Sequence, residues 1–159
     1  MKKNDYFIDV SSHQPADLTN ICAQAGTSNT LIKVSESTNY INPNMYLQLQ
    51  TSNCFGFYHF ARFGGNASLA VAEANYFINN LPSRNVHYLI CDYEDDASGD
   101  VNANTQAVLA FMRVCKQNNF APIYYSYKPY TLDYIDYHAI LAEFPNSLWM
   151  AAYPNYEVT

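Results

Sequence analysis

The sequence predicts an α/β protein folded as a TIM-like (β/α) barrel, with helices packed outside a parallel sheet. Three observations carry this expectation. Six short apolar runs alternate along the chain with five stretches of helical periodicity, and strict β-α alternation makes neighbouring strands parallel. Phosphate-binding glycine loops are missing: Gly64-Gly65 is the one Gly pair, and neither G-x-G-x-x-G nor G-x-x-x-x-G-K occurs. That weakens an open doubly wound nucleotide-binding sheet and favours a barrel. The third observation is length. At 159 residues the chain makes one domain, spanning 1–159. Eight βα units usually take more than about 200 residues, so the barrel is expected to be incomplete at its C-terminus by about two strands.

In order, Tyr6 to Val10 is an apolar run that reads as the first strand. Pro15-Ala16-Asp17 opens a helix through about Ala25, which Gly26 ends. Thr30 to Val34 is strand-like, and Asn42-Pro43-Asn44 signals a helix start ahead of Met45 and Leu49, four apart. Cys54 to Phe60 is aromatic and extended. Asn66 to Leu81 is Ala-rich and helical, with Leu69, Ala72, Tyr76 and Phe77 on one face and Pro82 as the stop. Val86 to Tyr93 is a strand, followed by a long helix from Val101 to Asn118 with Val108, Phe111, Met112 and Cys115 in phase. Pro122 to Tyr127 is a strand, Leu132 to Phe144 a helix, and Leu148 to Tyr153 a last strand.

Composition narrows the function. Hydrophobic residues make up 49% and charged ones 14%, enough apolar surface for a core. With 15 Tyr and 9 Phe the chain is rich in flat faces and hydroxyls suited to sugar rings. A net charge of −6 argues against nucleic acid or an anionic membrane as partner. No apolar run is long enough to insert in a membrane. The start, Met1-Lys2-Lys3-Asn4-Asp5, meets an acid before a short apolar run, so no signal peptide is expected and synthesis is assigned to the cytoplasm. Cys22, Cys54, Cys91 and Cys115 are 32, 37 and 24 residues apart. That spacing suits neither a disulfide framework nor zinc, and all four read as reduced core residues.

The chemistry-bearing residues stand at strand ends. Asp9 closes the first strand, and Asp92 and Glu94 close the fourth. Residues two apart on a strand point to the same face, with Cα atoms under about 7 Å apart, so Asp92 and Glu94 project together and Tyr93 turns away. Active sites of parallel β/α barrels are built at the carboxyl ends of strands. Crowded carboxylates raise the pKa of one of them, which keeps an acid protonated near neutrality. The bland alternative is a solvated loop, since Asp95, Asp96 and Asp100 follow. A metal-dependent hydrolase using Asp9, Asp92 and Asp95 is a further alternative, although the pattern is not an EF-hand. His13, His59, His87 and His138 are too scattered for a ligand pair, and no G-x-S-x-G elbow exists, so each His reads as hydrogen-bonded and structural.

These strand ends carry a family resemblance. Phe7-Ile8-Asp9-Val10-Ser11-Ser12-His13-Gln14 resembles the opening strand of glycoside hydrolase family 25, the Chalaropsis-type lysozymes common among phage endolysins. Leu31-Ile32-Lys33-Val34-Ser35-Glu36 is similar to the second strand, with Ser37 where the family usually has Gly, and Tyr40-Ile41-Asn42-Pro43 to the following turn. Gly56-Phe57-Tyr58-His59-Phe60-Ala61-Arg62 resembles the third strand and Ile90-Cys91-Asp92-Tyr93-Glu94 the fourth. Pro122-Ile123-Tyr124-Tyr125-Ser126 and Leu148-Trp149-Met150-Ala151-Ala152-Tyr153 resemble the fifth and sixth. Six motifs in order cover nearly the whole chain.

The resemblance implies an N-acetylmuramidase that cuts the β-1,4 bond between N-acetylmuramic acid and N-acetylglucosamine in peptidoglycan, acting on the bacterial wall after release. Glu94 would be the general acid. Asp92 would stabilise positive charge and orient the substrate's 2-acetamido group as internal nucleophile, and Asp9 would position Asp92 or water. Lys33, Tyr58 and Tyr125 match positions lining the sugar cleft, where barrel packing is the alternative for each Tyr. No metal or organic cofactor is implied. Family members carry another active-site Asp near the last strand, and nothing in Tyr156-Glu157-Val158-Thr159 matches it. A truncated form that only binds wall sugars therefore stays open beside the active enzyme. A dimer or a missing C-terminal partner polypeptide is expected to cover the open strand edges, and a missing wall-binding partner to supply targeting.

Overall fold

The computed structural model describes residues 7–151, so Tyr6 and Ala152-Tyr153 of the expected first and last strands lie outside the described residues. Strands β1 (Ile8–Val10), β2 (Asn29–Glu36), β4 (Asn53–Phe60), β5 (Tyr88–Asp92), β6 (Ala121–Tyr127) and β7 (Leu148–Ala151) form a parallel sheet in that order. Between them run helices α1 (Thr19–Ala25), α2 (Met45–Gln50), α3 (Ala67–Asn79), α4 (Val101–Gln117), α5 (Lys128–Tyr134) and α6 (Tyr137–Glu143). The expected turn at Tyr40-Ile41 is instead a short strand, β3 (Tyr40–Ile41), which folds back antiparallel on the end of β2. No helix among the described residues is long and apolar enough to cross a membrane.

The sheet is strongly curled. In a flat sheet five strand spacings of about 4.8 Å would hold β1 and β7 some ~24 Å apart. Yet the rings of Phe7, beside β1, and Trp149, on β7, lie 6.0 Å apart. Phe55 stands 5.3 Å from Phe7 and 6.0 Å from Trp149, and Tyr88 stands 5.4 Å from Trp149. With Leu31, Ile90 and Ile123 these rings fill the inside of the curl. Gly56 keeps that interior passable: a Cβ there would meet Ile90 Cδ1 at 2.9 Å and Leu31 Cδ2 at 3.0 Å. This is an incomplete TIM-like barrel, with β1 and β7 each flanked by a single strand among the described residues.

The larger core lies between the sheet and its helices. Val10, Ile32, Phe57, Leu89 and Tyr124 meet Phe77, Phe111 and Met112 there, all wholly buried. Burying each such side chain stabilises the fold by about 1.5–3 kcal/mol. The α4 phase is as expected, with Val108, Phe111, Met112 and Cys115 buried. The α3 face is rotated from the expected one: Ala70, Ala74, Phe77 and Ile78 are buried and Ala72 is exposed, because Glu73 goes inward to pair with His59. Cys22, Cys91 and Cys115 are buried and Cys54 half-buried, all as free thiols, and burial pushes the Cys54 thiol up to about 11.

Two helices differ from expectation for identifiable reasons. The first begins at Thr19 rather than Pro15. The Asp17 carboxylate accepts from both the backbone N–H and the hydroxyl of Thr19, and Gln48 Nε2 donates to the Pro15 carbonyl, so residues 15–18 stay in a tethered turn. The helix expected over 132–144 is two helices. Ile135 takes an extended conformation and buries its side chain, while Asp136 donates its N–H to Thr105 Oγ1 and caps α6 by accepting from His138 N–H. Tertiary contacts with α4 break a pattern that reads as continuous locally.

Candidate active site

The carboxyl ends of the parallel strands surround a cleft of about 410 Å³. All six residues singled out from the sequence line it: Asp9, Lys33, Tyr58, Asp92, Glu94 and Tyr125. Strand register sets their positions, since Lys33 stands beside Tyr58 on β2 and β4, and Asp92 beside Tyr125 on β5 and β6. Glu94 lies just past the end of β5, still on the alternation that began in the strand. Tyr93 points the opposite way, wholly buried, and donates its hydroxyl to the Gly64 carbonyl at 2.9 Å.

Asp92 is the least solvated acid of the group, with 5% of its surface exposed. Burial pushes its carboxyl well above the usual range. A hydrogen bond with Glu94 and the charges of Glu94 and Asp9 push the same way, against Lys33. A buried carboxyl beside a second acid is easier to keep protonated than an isolated one. Asp92 Oδ1 is buried with no hydrogen-bond partner among the described residues, which adds to the cost of charging it. Asp9, by contrast, is exposed, and the Tyr125 hydroxyl donates to its Oδ2 at 3.3 Å, bridging β6 to β1 across the curl. Tyr58 donates to the Val10 carbonyl at 3.2 Å. Its phenol is raised, by burial first and then by the charges of Asp9 and Asp92, so it stays a donor.

Glu36, Phe60 and Arg62 also line the cleft, and period-two reasoning on the second strand missed Glu36. Strict alternation puts Lys33 and Ser35 inward and Glu36 outward. A bulge between Lys33 and Ser35 instead turns Ser35 toward the helices and Glu36 into the cleft. Lys33 Nζ then bonds Glu36 Oε1 at 2.7 Å, and Arg62 Nε bonds Glu36 Oε2 at 3.0 Å. Burial works against the Glu36 carboxylate, yet the bonds and charges of Lys33 and Arg62 outweigh it and hold the group below its usual range. Lys33 and Arg62 both lie over the Phe60 ring, at 5.1 and 4.7 Å. The signal for these residues was present only in the quoted strand motifs.

On the far side of the sheet, Ser35 Oγ and His59 Nδ1 are 2.7 Å apart, and His59 Nε2 and Glu73 Oε1 are 2.7 Å apart. This is a Ser-His-acid chain in geometry, but all three are wholly buried and no substrate reaches the serine. Burial lowers the His59 pKa against the pull of Glu73. His59 is a structural histidine, as expected. The metal alternative fares differently. Asp95 is taken by Arg62 at 2.9 Å, and no group of three His, Cys, Asp or Glu that could hold a metal occurs among the described residues.

The model of a family described as Glycosyl hydrolases family 25 matches residues 8–159. A lysozyme of Streptococcus phage Cp-7 is 58% identical over 153 residues, covering 96% of this chain and 44% of its own. A D-alanyl-L-alanine endopeptidase of Streptococcus phage B30 is 56% identical over 158 residues, covering 99% of this chain and 36% of its own. Among solved structures, a mutant of the modular Cpl-1 endolysin, in complex with a tetrasaccharide-pentapeptide peptidoglycan analogue, superposes with a TM-score of 0.95 at 55% identity. That match covers all of this chain and 47% of the other. The chain thus spans less than half the length of these relatives.

Proposed function

The chain belongs to glycosyl hydrolase family 25, and from that premise we propose that it is an endolysin-type lysozyme that hydrolyses the β-1,4 bond between N-acetylmuramic acid and N-acetylglucosamine in peptidoglycan. The observation that carries the reading is the buried Asp92 beside Glu94, both lining a cleft at the carboxyl ends of parallel strands.

The chemistry follows from where the proton sits. Burial favours the proton on Asp92, which stands beside Glu94 in the cleft. With a glycosidic oxygen against Glu94, the proton passes through Glu94 to that oxygen as the C1–O bond breaks. The acetamido oxygen of the same sugar closes on C1, and Asp92, now ionised, faces the positive oxazolinium ring that forms. The charge that burial disfavours in the empty cleft is thereby matched at the moment it develops. Water opens the ring, and the proton it releases restores the pair. Asp9, held by Tyr125, orients the water or Asp92, and Lys33 and Tyr58 line the sugar path.

Relatives named as lysozyme and endolysin support this reading, as does the peptidoglycan analogue bound by the Cpl-1 endolysin. The peptidase name belongs to a relative of which this chain spans about a third. The site of action is the bacterial wall. The test is clearing of purified Gram-positive walls followed by analysis of the new reducing ends. Glu94→Gln keeps shape but removes the transferable proton, and activity should fall by about 10²–10⁴-fold. A variant keeping more than about a tenth of wild-type clearing would rule Glu94 out as the acid. Wall binding without new reducing ends would mark a sugar-binding module instead.

A further inference from the structure

Glu94 sits on a segment with no regular structure of its own, the loop that follows β5. A general acid must be held to a fraction of an ångström, so something outside the loop has to fix it. Tyr93 N–H donates to the Tyr125 carbonyl of β6 at 3.0 Å, and the other fastenings of residues 92–96 among the described residues lead to residues 61–65. Ala61 N–H donates to the Asp92 carbonyl at 2.9 Å, and Tyr93 donates to the Gly64 carbonyl at 2.9 Å. Arg62 Nη1 bonds Asp95 Oδ2 and Asp96 Oδ2, each at 2.9 Å. Asp96 adopts a φ of 66°, a left-handed conformation that costs a non-glycine residue strain. Two carboxylates sharing one guanidinium offset that strain and keep the loop closed.

Arg62 is itself held from three sides. Its backbone N–H donates to the wholly buried Glu73 at 3.0 Å, its plane lies on Phe60, and its Nε bonds Glu36, which in turn holds Lys33. We propose that Arg62 is a positioning residue for the hydrolysis: it locks the Glu94 loop, through Asp95 and Asp96, to the Lys33–Glu36 pair on the opposite wall of the cleft. The proposal rests on the reading of Glu94 as the acid. Arg62 touches neither reacting atom; its product is the fixed distance between the acid and the cationic wall. A lysine would supply the charge but not the fork that reaches Glu36 and both aspartates at once.

The test compares Arg62→Met, Arg62→Lys, the pair Asp95→Asn/Asp96→Asn, and all three changes of Arg62→Met with both Asn, on a soluble glycan fragment of the wall. Arg113→Met, which breaks a solvent-exposed ion pair with Glu143 outside the cleft, is the control for loss of a surface pair. Misplacement by an ångström costs about 10²-fold, so Arg62→Met should lower kcat by about 10-fold or more with KM within about threefold. Arg62→Lys should recover part of kcat, Arg113→Met should leave it unchanged, and the melting temperature of each should stay near wild type, since exposed pairs add little stability. The Asn pair should match Arg62→Met, and the triple variant should be no worse than either, as expected of groups acting as one unit. If Arg62→Met does not fold, the Asn pair decides. Additive losses, a raised KM at unchanged kcat, or wild-type kcat in the Asn pair would each overturn the clamp. With Glu94→Gln inactive beside any of these, the acid assignment survives and the clamp alone fails; an active Glu94→Gln overturns both.

Discussion

Asp92 pairs function with a cost to the fold. Its carboxyl is raised by burial above the 3.8 of a free aspartate. Between that value and its raised pKa the folded chain keeps a proton that the unfolded chain has lost, so stability falls as pH rises through this window. Above the raised pKa the full penalty of a buried charge is present. Asp92→Asn removes the ionisable group while keeping the side chain's size and polarity. The variant should melt higher than wild type near about pH 7 and converge with it near about pH 3. Each ~1 kcal/mol relieved raises the melting temperature by about 2–4 °C in a chain of this size. The same variant should lose wall clearing, because no counter-charge remains for the oxazolinium. Wild-type activity should decline on the alkaline side as Asp92 loses its proton. Thermal melts of both proteins across pH check the first outcome. A parallel pair of curves would show that Asp92 titrates alike in the folded and unfolded chains.

At the scale of elements, the loop at 63–65 and the loop at 94–96 meet backbone to backbone. Gly64 has a φ of 55°, and a Cβ there would lie 2.7 Å from the Asp96 carbonyl oxygen. Gly26, ending α1, has a φ of 74° with nothing within 4 Å. Alanine at either position meets the same left-handed penalty of about 1–2 kcal/mol, but only at Gly64 does it push on the segment carrying Glu94. Gly26→Ala should therefore lower the melting temperature without touching kcat, and Gly64→Ala should lower both. Equal effects on activity would show that the two loops move independently. Much of this scale is legible in the sequence. The apolar runs at 30–34, 54–60 and 122–127 are strands, and the phase of Val108, Phe111 and Met112 marks the buried face of α4. Asp92 closes β5 and Glu94 lies just past it, as alternation predicts, whereas Asp9 falls one residue short of the end of β1, which runs on to Val10. What escaped depends on contacts distant in sequence. The bulge that turns Glu36 inward is set by the pairing of β2 with β4, and the break at Ile135-Asp136 by a hydroxyl of α4. The inward turn of Glu73 answers a histidine fourteen residues earlier. No local window contains these partners.

For the whole molecule, the decisive seam is where the last described strand comes round to the first. No backbone pairing joins β1 to β7 among the described residues. The seam is instead spanned by side chains: Phe7, Phe55 and Trp149 below, and the Tyr125–Asp9 hydrogen bond at the rim. Aromatic contacts of this kind are worth about 0.5–1.5 kcal/mol each beyond their buried area, far less than a strand's ladder of hydrogen bonds. The curl should thus be the softest collective feature of the fold, and the catalytic rim shares it. Trp149 is the single tryptophan of the chain, so its emission reports the seam directly, while far-ultraviolet dichroism reports the helices. Phe55→Ala removes one wall of the Trp149 site. It should shift the emission to the red and lower the melting temperature, by an amount consistent with about 3–5 kcal/mol for a phenylalanine lost from packing, reduced for partial exposure. Clearing activity should drop as well, because loosening the seam frees Asp9 from Tyr125 without altering any residue of the cleft. In the wild type, melts followed by the two probes should coincide if seam and helices unfold as one cooperative unit. In Phe55→Ala the fluorescence transition should precede the dichroism transition. Coincident transitions in the variant, with activity intact, would show that the helical layer alone holds the curl and that the aromatic seam is only filling.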